Sequence, residues 1–95
     1  MTAGALIKEA RLKKRLTLQN VADELDMDIS TISKIEKGTR TLKQEHIKKL
    51  AKLLDLTVSQ INSVYLTDSI VKQYGDNPYI LDALKRASTI IKQIR

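Results

Sequence analysis

The chain has 95 residues, 42% of them hydrophobic, with no Cys, Phe or Trp and a formal net charge of +6. Those values fit one small domain with an aliphatic core, exclude a disulfide framework or thiolate metal site, and suit a reducing cytoplasm. No apolar run nears the roughly 18 residues of a membrane span, and M-T-A-G-A-L-I-K-E-A meets charge too soon for a signal peptide.

Almost everything reads as helix, because no strand-like alternation persists. A first helix spans roughly 4–14, with Leu6, Ile7, Ala10 and Leu12 as its apolar contributions. Thr17 is placed to N-cap a second helix over about 18–25 that turns Val21, Ala22 and Leu25 inward. Asp26 ends it, since aspartate tolerates the left-handed turn that follows a helix. Asp28 caps a third helix over about 29–37, and Gly38 stops it after a lysine-rich last turn. Thr41 and Gln44 have capping-box spacing and open a fourth helix, in which Ile47, Leu50, Ala51 and Leu54 recur at helical intervals until Asp55. Thr57 and Gln60 repeat the box before a fifth helix carrying Val58, Ile61, Val64 and Tyr65. That helix either breaks near Thr67-Asp68 or continues to Tyr74. Gly75-Asp76-Asn77-Pro78 is the clearest interruption, with Asn77 suited to an N-cap and Pro78 to the first position of a last helix over about 78–95. In that helix Ile80, Leu84, Ala87, Ile91 and Ile94 form an a/d seam of about two heptads, widened by Leu81 and Ile90.

The third helix raises the functional question. At about 100° per residue, Ile32 and Ile35 share one side. Ser30, Ser33, Lys34 and Lys37 gather opposite, with Ile29 at the margin. Such a face is either an ordinary solvated one or a surface that enters a DNA major groove, where small hydroxyls approach base edges and ammonium groups approach phosphate. The joint Asp26-Met27-Asp28 has helix-turn-helix length. Charge points the same way: residues 1–56 hold 12 Lys/Arg against 8 Asp/Glu, and residues 57–95 hold 5 against 3. A basic excess favours a polyanionic partner.

From Arg11 to Gly38 the run R-L-K-K-R-L-T-L-Q-N-V-A-D-E-L-D-M-D-I-S-T-I-S-K-I-E-K-G resembles the helix-turn-helix of phage-repressor and Cro-type proteins, the xenobiotic-response-element family. Leu50 to Ile61, L-A-K-L-L-D-L-T-V-S-Q-I, resembles that family's fourth helix and the start of its fifth. The resemblance implies an all-α, five-helix lambda-repressor-like DNA-binding domain over 1–66, with an appended C-terminal helical oligomerisation segment over 67–95. It places Ile29, Ser30, Thr31, Ser33 and Lys34 at or near base-reading sites, and Lys37, Thr39 and Arg40 beside phosphates. The start of the second helix, Thr17, Leu18 and Gln19, is implied to approach the backbone of one strand. Arg11 and Glu36 match the family's internal ion pair, a structural role. Three departures stand out: Leu18 where a phosphate-contacting glutamine is usual, with Gln19 one residue late; Asp26 and Asp55 for glycines; and Ile29 for a polar residue. Ile29 either touches a thymine methyl or packs against Met27 or the end of the second helix.

No nucleophile–base pair or glycine-rich phosphate loop can be assembled, His46 stands alone as surface, and no cofactor is implied. Tyr65, Tyr74 and Tyr79 are read as core or interface tyrosines. The resulting expectation is a cytoplasmic, nucleoid-bound, sequence-specific repressor of duplex DNA that acts on a pseudo-palindromic operator. It pairs with itself through Ile80, Leu84, Ala87, Ile91 and Ile94. The alternative is an antitoxin or regulatory subunit whose 67–95 segment binds a second regulatory protein. A module that uses the fold without DNA is the further rival.

Overall fold

The computed structural model describes residues 1–95 as six helices without strands: α1 (Ala3–Lys13), α2 (Leu18–Leu25), α3 (Ile29–Lys37), α4 (Gln44–Leu54), α5 (Val58–Tyr74) and α6 (Ile80–Ile94). Helices α1 to α5 enclose one aliphatic cluster of 13 buried residues that runs from Ile7 to Ile61 and includes Val21, Ile32, Ile35, Ile47, Leu50 and Leu54. The all-α expectation, a lambda-repressor-like fold followed by a C-terminal helix, matches this architecture.

The first four helices are short because each is closed by a left-handed residue. Arg15, Asp26, Gly38 and Asp55 have φ of 58°, 54°, 83° and 56°. At each of these ends the next residue's N–H reaches back five positions: Leu16 to Arg11, Met27 to Ala22, Thr39 to Lys34 and Leu56 to Ala51, at 2.9–3.1 Å. That is the Schellman closure, which satisfies carbonyls the helix leaves open. Leu16, Met27 and Leu56 pack against the core. Each stands just before the next N-cap, with Val21, Ile32 and Ile61 respectively four positions into the following helix, the arrangement of a hydrophobic staple. One apolar residue therefore closes one helix and aims the next. Capping boxes complete α2 and α5, where Thr17 pairs with Asn20 and Thr57 with Gln60.

Four local expectations are corrected. Leu12 is 56% exposed, because α1 turns its Ile7 and Ala10 side inward. Asp28 holds the N-cap position of α3 but its side chain makes no capping bond. Thr41 and Gln44 form no box: α4 starts at Gln44, whose amide instead donates to Asn62 Oδ1 of α5 at 2.7 Å. The start of α4 is set by Leu42, buried one residue before the N-cap Lys43, with Ile47 as its staple partner. Finally, α6 begins at Ile80 and not at Pro78. Asn77 Oδ1 accepts the Tyr79 N–H at 2.8 Å, and Ile80 N–H donates to the Asn77 carbonyl at 3.2 Å. With Tyr79 at φ −104°, ψ 2°, residues 77–80 form a type I turn, with asparagine first and proline second.

Helix α5 runs unbroken past Thr67-Asp68 to Tyr74. The hydroxyls of Thr67 and Ser69 donate to carbonyls four residues back, at 2.8 and 3.2 Å, so they do not compete with the helix. Nothing in α6 is buried. It projects as an arm, and the radius of gyration is 15.4 Å, against about 12 Å for a compact chain of this length.

Candidate nucleic-acid interface

What fixes α3 comes from α1 and the turn after it. Arg11 is the one buried charged residue. Its Nε and Nη2 donate to the two Glu36 carboxylate oxygens at 2.7 and 3.1 Å, and its Nη1 donates to the Leu16 carbonyl at 2.9 Å. Both side chains are under 10% exposed, at 9% and 6%. A bidentate guanidinium–carboxylate pair is directional as well as attractive. Removing either partner leaves a buried charge unpaired, at a cost of about 3–5 kcal/mol. Gly4 supplies the second contact: a Cβ there would overlap the Glu36 carbonyl oxygen and come within 2.7 Å of that of Ile35. So the backbone of α1 lies directly on the last turn of α3.

Held this way, α3 buries Ile32 and Ile35, each 2% exposed. Ser30, Lys34 and Lys37 stand in solvent, with Thr31 and Ser33 half-buried at the edges. Ile29 is 45% exposed at the margin. The loop that follows carries Thr39 and Arg40, both exposed. Thr39 is partly committed, since its hydroxyl donates to the Lys34 carbonyl at 3.2 Å. Arg40 lines two recesses, one with Asp23, Asp26, Asp28 and Thr31, the other with Gly38, Thr41 and Lys72. It forms no ion pair within the chain.

At the start of α2, Thr17 and Gln19 are exposed and Leu18 packs on the core. The Gln19 amide donates to Asp23 Oδ1 at 2.7 Å. The Leu18 and Gln19 N–H groups, in the first turn, make no hydrogen bond within the chain. Such groups favour an anion. Thus α2's first turn, α3's outer face and the 38–41 loop carry the candidate contacts, while Arg11 and Glu36 stay inside.

Two positioning groups beyond Gly4 were not legible as such. Tyr65 is half-buried and its oxygen accepts the Leu42 N–H at 3.2 Å, which ties the end of the 38–41 loop to α5. Burial pushes this phenol above its ordinary pKa, and nearby Asp68 adds to the shift against the Leu42 bond, so the group stays protonated and neutral. Asp68 Oδ2 accepts the Ala3 N–H at 2.8 Å, so α5 caps the start of α1. The signal for Leu42 was a lone apolar residue just before a helix; Asp68 carried none, because its partner is 65 residues away.

His46 is half-buried on α4 with its Nε2 3.5 Å from Glu45 Oε1. No group of three or more His, Asp or Glu side chains is arranged to hold a metal ion. No helix is long and apolar enough to cross a membrane.

A helix-turn-helix family model matches residues 7–61, more than half of the chain. No curated protein and no solved structure matches it.

Proposed function

The chain belongs to the Cro/C1-type helix-turn-helix family of DNA-binding transcription regulators, a generally non-enzymatic family, and on that footing we propose that it is a repressor of the phage, plasmid or mobile-element sort, working in the cytoplasm on the nucleoid. A dimer occupies a pseudo-palindromic operator that overlaps a promoter and so excludes polymerase. Helix α3 lies in the major groove. Ser30, Thr31, Ser33 and Lys34 reach base edges, Ile29 meets a thymine methyl at the margin, and Lys37, Thr39 and Arg40 lie beside phosphates. The first turn of α2, with Thr17, Gln19 and the free N–H groups, takes the backbone of one strand.

The observation that carries this reading is the outer face of α3. It presents small hydroxyls and two ammonium groups with little bulk, held on a buried ion pair and a glycine contact. Residues 1–66 act as the reading unit, and 67–95 as the segment that pairs two copies through Ile80, Leu84, Ala87, Ile91 and Ile94. One groove helix spans only a few base pairs, so two-fold pairing gains affinity and specificity together.

Binding of Lys34→Ala and Arg40→Ala to operator and to random duplex, titrated over salt, tests the docking. Lys34→Ala is expected to cost about 1–3 kcal/mol and relax preference at one base position. Arg40→Ala is expected to weaken all sequences alike and flatten the log–log salt slope by about one unit. Wild-type binding by both variants contradicts the docking.

A further inference from the structure

We infer that two copies join through α6 in antiparallel fashion, the C-terminal isoleucines of each copy filling the α5–α6 groove of the other. The inference rests on the dimeric reading above and deepens it by naming the occupant and its orientation.

The two halves of α6 have different surroundings. Its first half and the end of α5 enclose an open groove of about 390 Å³, lined by Ile70, Tyr74, Tyr79, Ile80, Leu84 and Ala87, with Asn77 the one polar lining residue. Its second half carries Ile90, Ile91 and Ile94, all exposed and none of them lining that groove. Each chain thus offers an apolar trough at one end of the arm and an apolar ridge at the other. A two-fold axis near Ala87, with the helices antiparallel, seats ridge in trough twice, as an isologous contact requires. Parallel pairing would set ridge on ridge and leave both troughs open to water.

Charge selects the same orientation. At the trough end Asp76 and Asp82 are balanced by Lys85 and Arg86, whereas Lys92 and Arg95 leave the ridge end cationic. Antiparallel pairing brings opposite ends together and opposes the helix dipoles, whereas parallel pairing stacks like charge on like. Asp82, seven residues before Thr89, is already paired with Arg86 Nε at 2.9 Å on the outer face and takes no part in the seam. Residues on the far side of the helix, such as Thr89 and Gln93, are polar and remain wet. The groove partner is therefore a second copy, whose own exposed ridge of isoleucines matches the apolar trough.

The chain contains no cysteine, so single introduced thiols report the geometry directly. With a rise of about 1.5 Å per residue, the two Ile94 positions of an antiparallel pair lie about 21 Å apart. A disulfide spans Cα atoms no more than about 7 Å apart. Under mild oxidation of the full chain, Ala87→Cys is expected to link to itself and Ile94→Cys is not. An equimolar mixture of Ile80→Cys and Ile94→Cys is expected to give the mixed dimer. Ser88→Cys and Arg95→Cys repeat the comparison on the flank of the seam, without removing an apolar contact. All five sites lie outside the α1–α5 core. Self-linking of Ile94→Cys as efficient as that of Ala87→Cys overturns the orientation, and so does failure of both Ala87→Cys and Ser88→Cys to link in a chain that light scattering finds dimeric. In both of those cases the repressor reading stands. An unaltered chain that is monomeric by light scattering overturns this pairing and the dimeric part of that reading together. One that is monomeric alone but copurifies with an unrelated protein does the same, and assigns the groove to that protein.

Discussion

Gly4 shows how little of a helix crossing a single residue announces. It reads as one of three scattered glycines, and its backbone angles are those of any helical residue. What demands glycine is the backbone of α3, whose Ile35 and Glu36 carbonyls occupy the space a side chain would need. Demands of that kind come from the opposite helix and leave no local pattern. Arg11 and Glu36 are different: 25 residues apart, they could be paired in advance only through the likeness of the surrounding run to a known family, and the structure joins them at 2.7 Å. Replacing Gly4 by alanine forces α1 off α3, and overpacking of this sort costs about 1–3 kcal/mol. For a chain of this size that lowers the melting temperature by roughly 4–8 °C per kcal/mol, measurable by circular dichroism. An unchanged melting curve would show that the crossing has slack.

At the level of elements, the helices of the first 60 residues were largely legible because the punctuation is local. Arg15-Leu16-Thr17, Asp26-Met27-Asp28 and Asp55-Leu56-Thr57 are one device used three times: a left-handed residue, an apolar residue packed on the core, then an N-cap. Two of these are legible at Asp26 and Asp55, and the third, at Arg15, is not, since arginine carries no turn preference. The start of α4 was misplaced because Thr41 and Gln44 have the right spacing for a box. Burial of Leu42 outweighs one exposed capping bond, and Gln44 finds Asn62 across the interface instead. At the other end, Asn77-Pro78 fits a helix start and a type I turn equally well on sequence alone. Aspartate in a left-handed turn is tolerated at some cost. Asp26→Gly should therefore raise unfolding free energy by about 0.5–1 kcal/mol in urea denaturation, net of the extra freedom glycine gives the unfolded chain. A loss of stability would mean that the Asp26 carboxylate contributes more than its backbone strain removes.

For the whole molecule, the arm is the feature with mechanical consequence. Helix α5 enters the core at Ile61, is bonded to Leu42, just after the 38–41 loop, through Tyr65 and to α1 through Asp68, and then leads out to α6 without a break before Gly75. Whatever pairs two arms therefore also sets the distance and angle between two α3 helices. If that pairing is two-fold, the operator inherits the symmetry, with half-site centres about 34 Å apart or a multiple of it. Whether the serine- and lysine-bearing side of α3 reads duplex DNA is decided by selecting bound sequences from a random duplex pool with the full chain. The expected outcome is an enriched motif of two inverted half-sites at that spacing, lost when Ser33 and Lys34 are both replaced by alanine. A pool that stays random through successive rounds, or a motif that survives the double replacement unchanged, would contradict it.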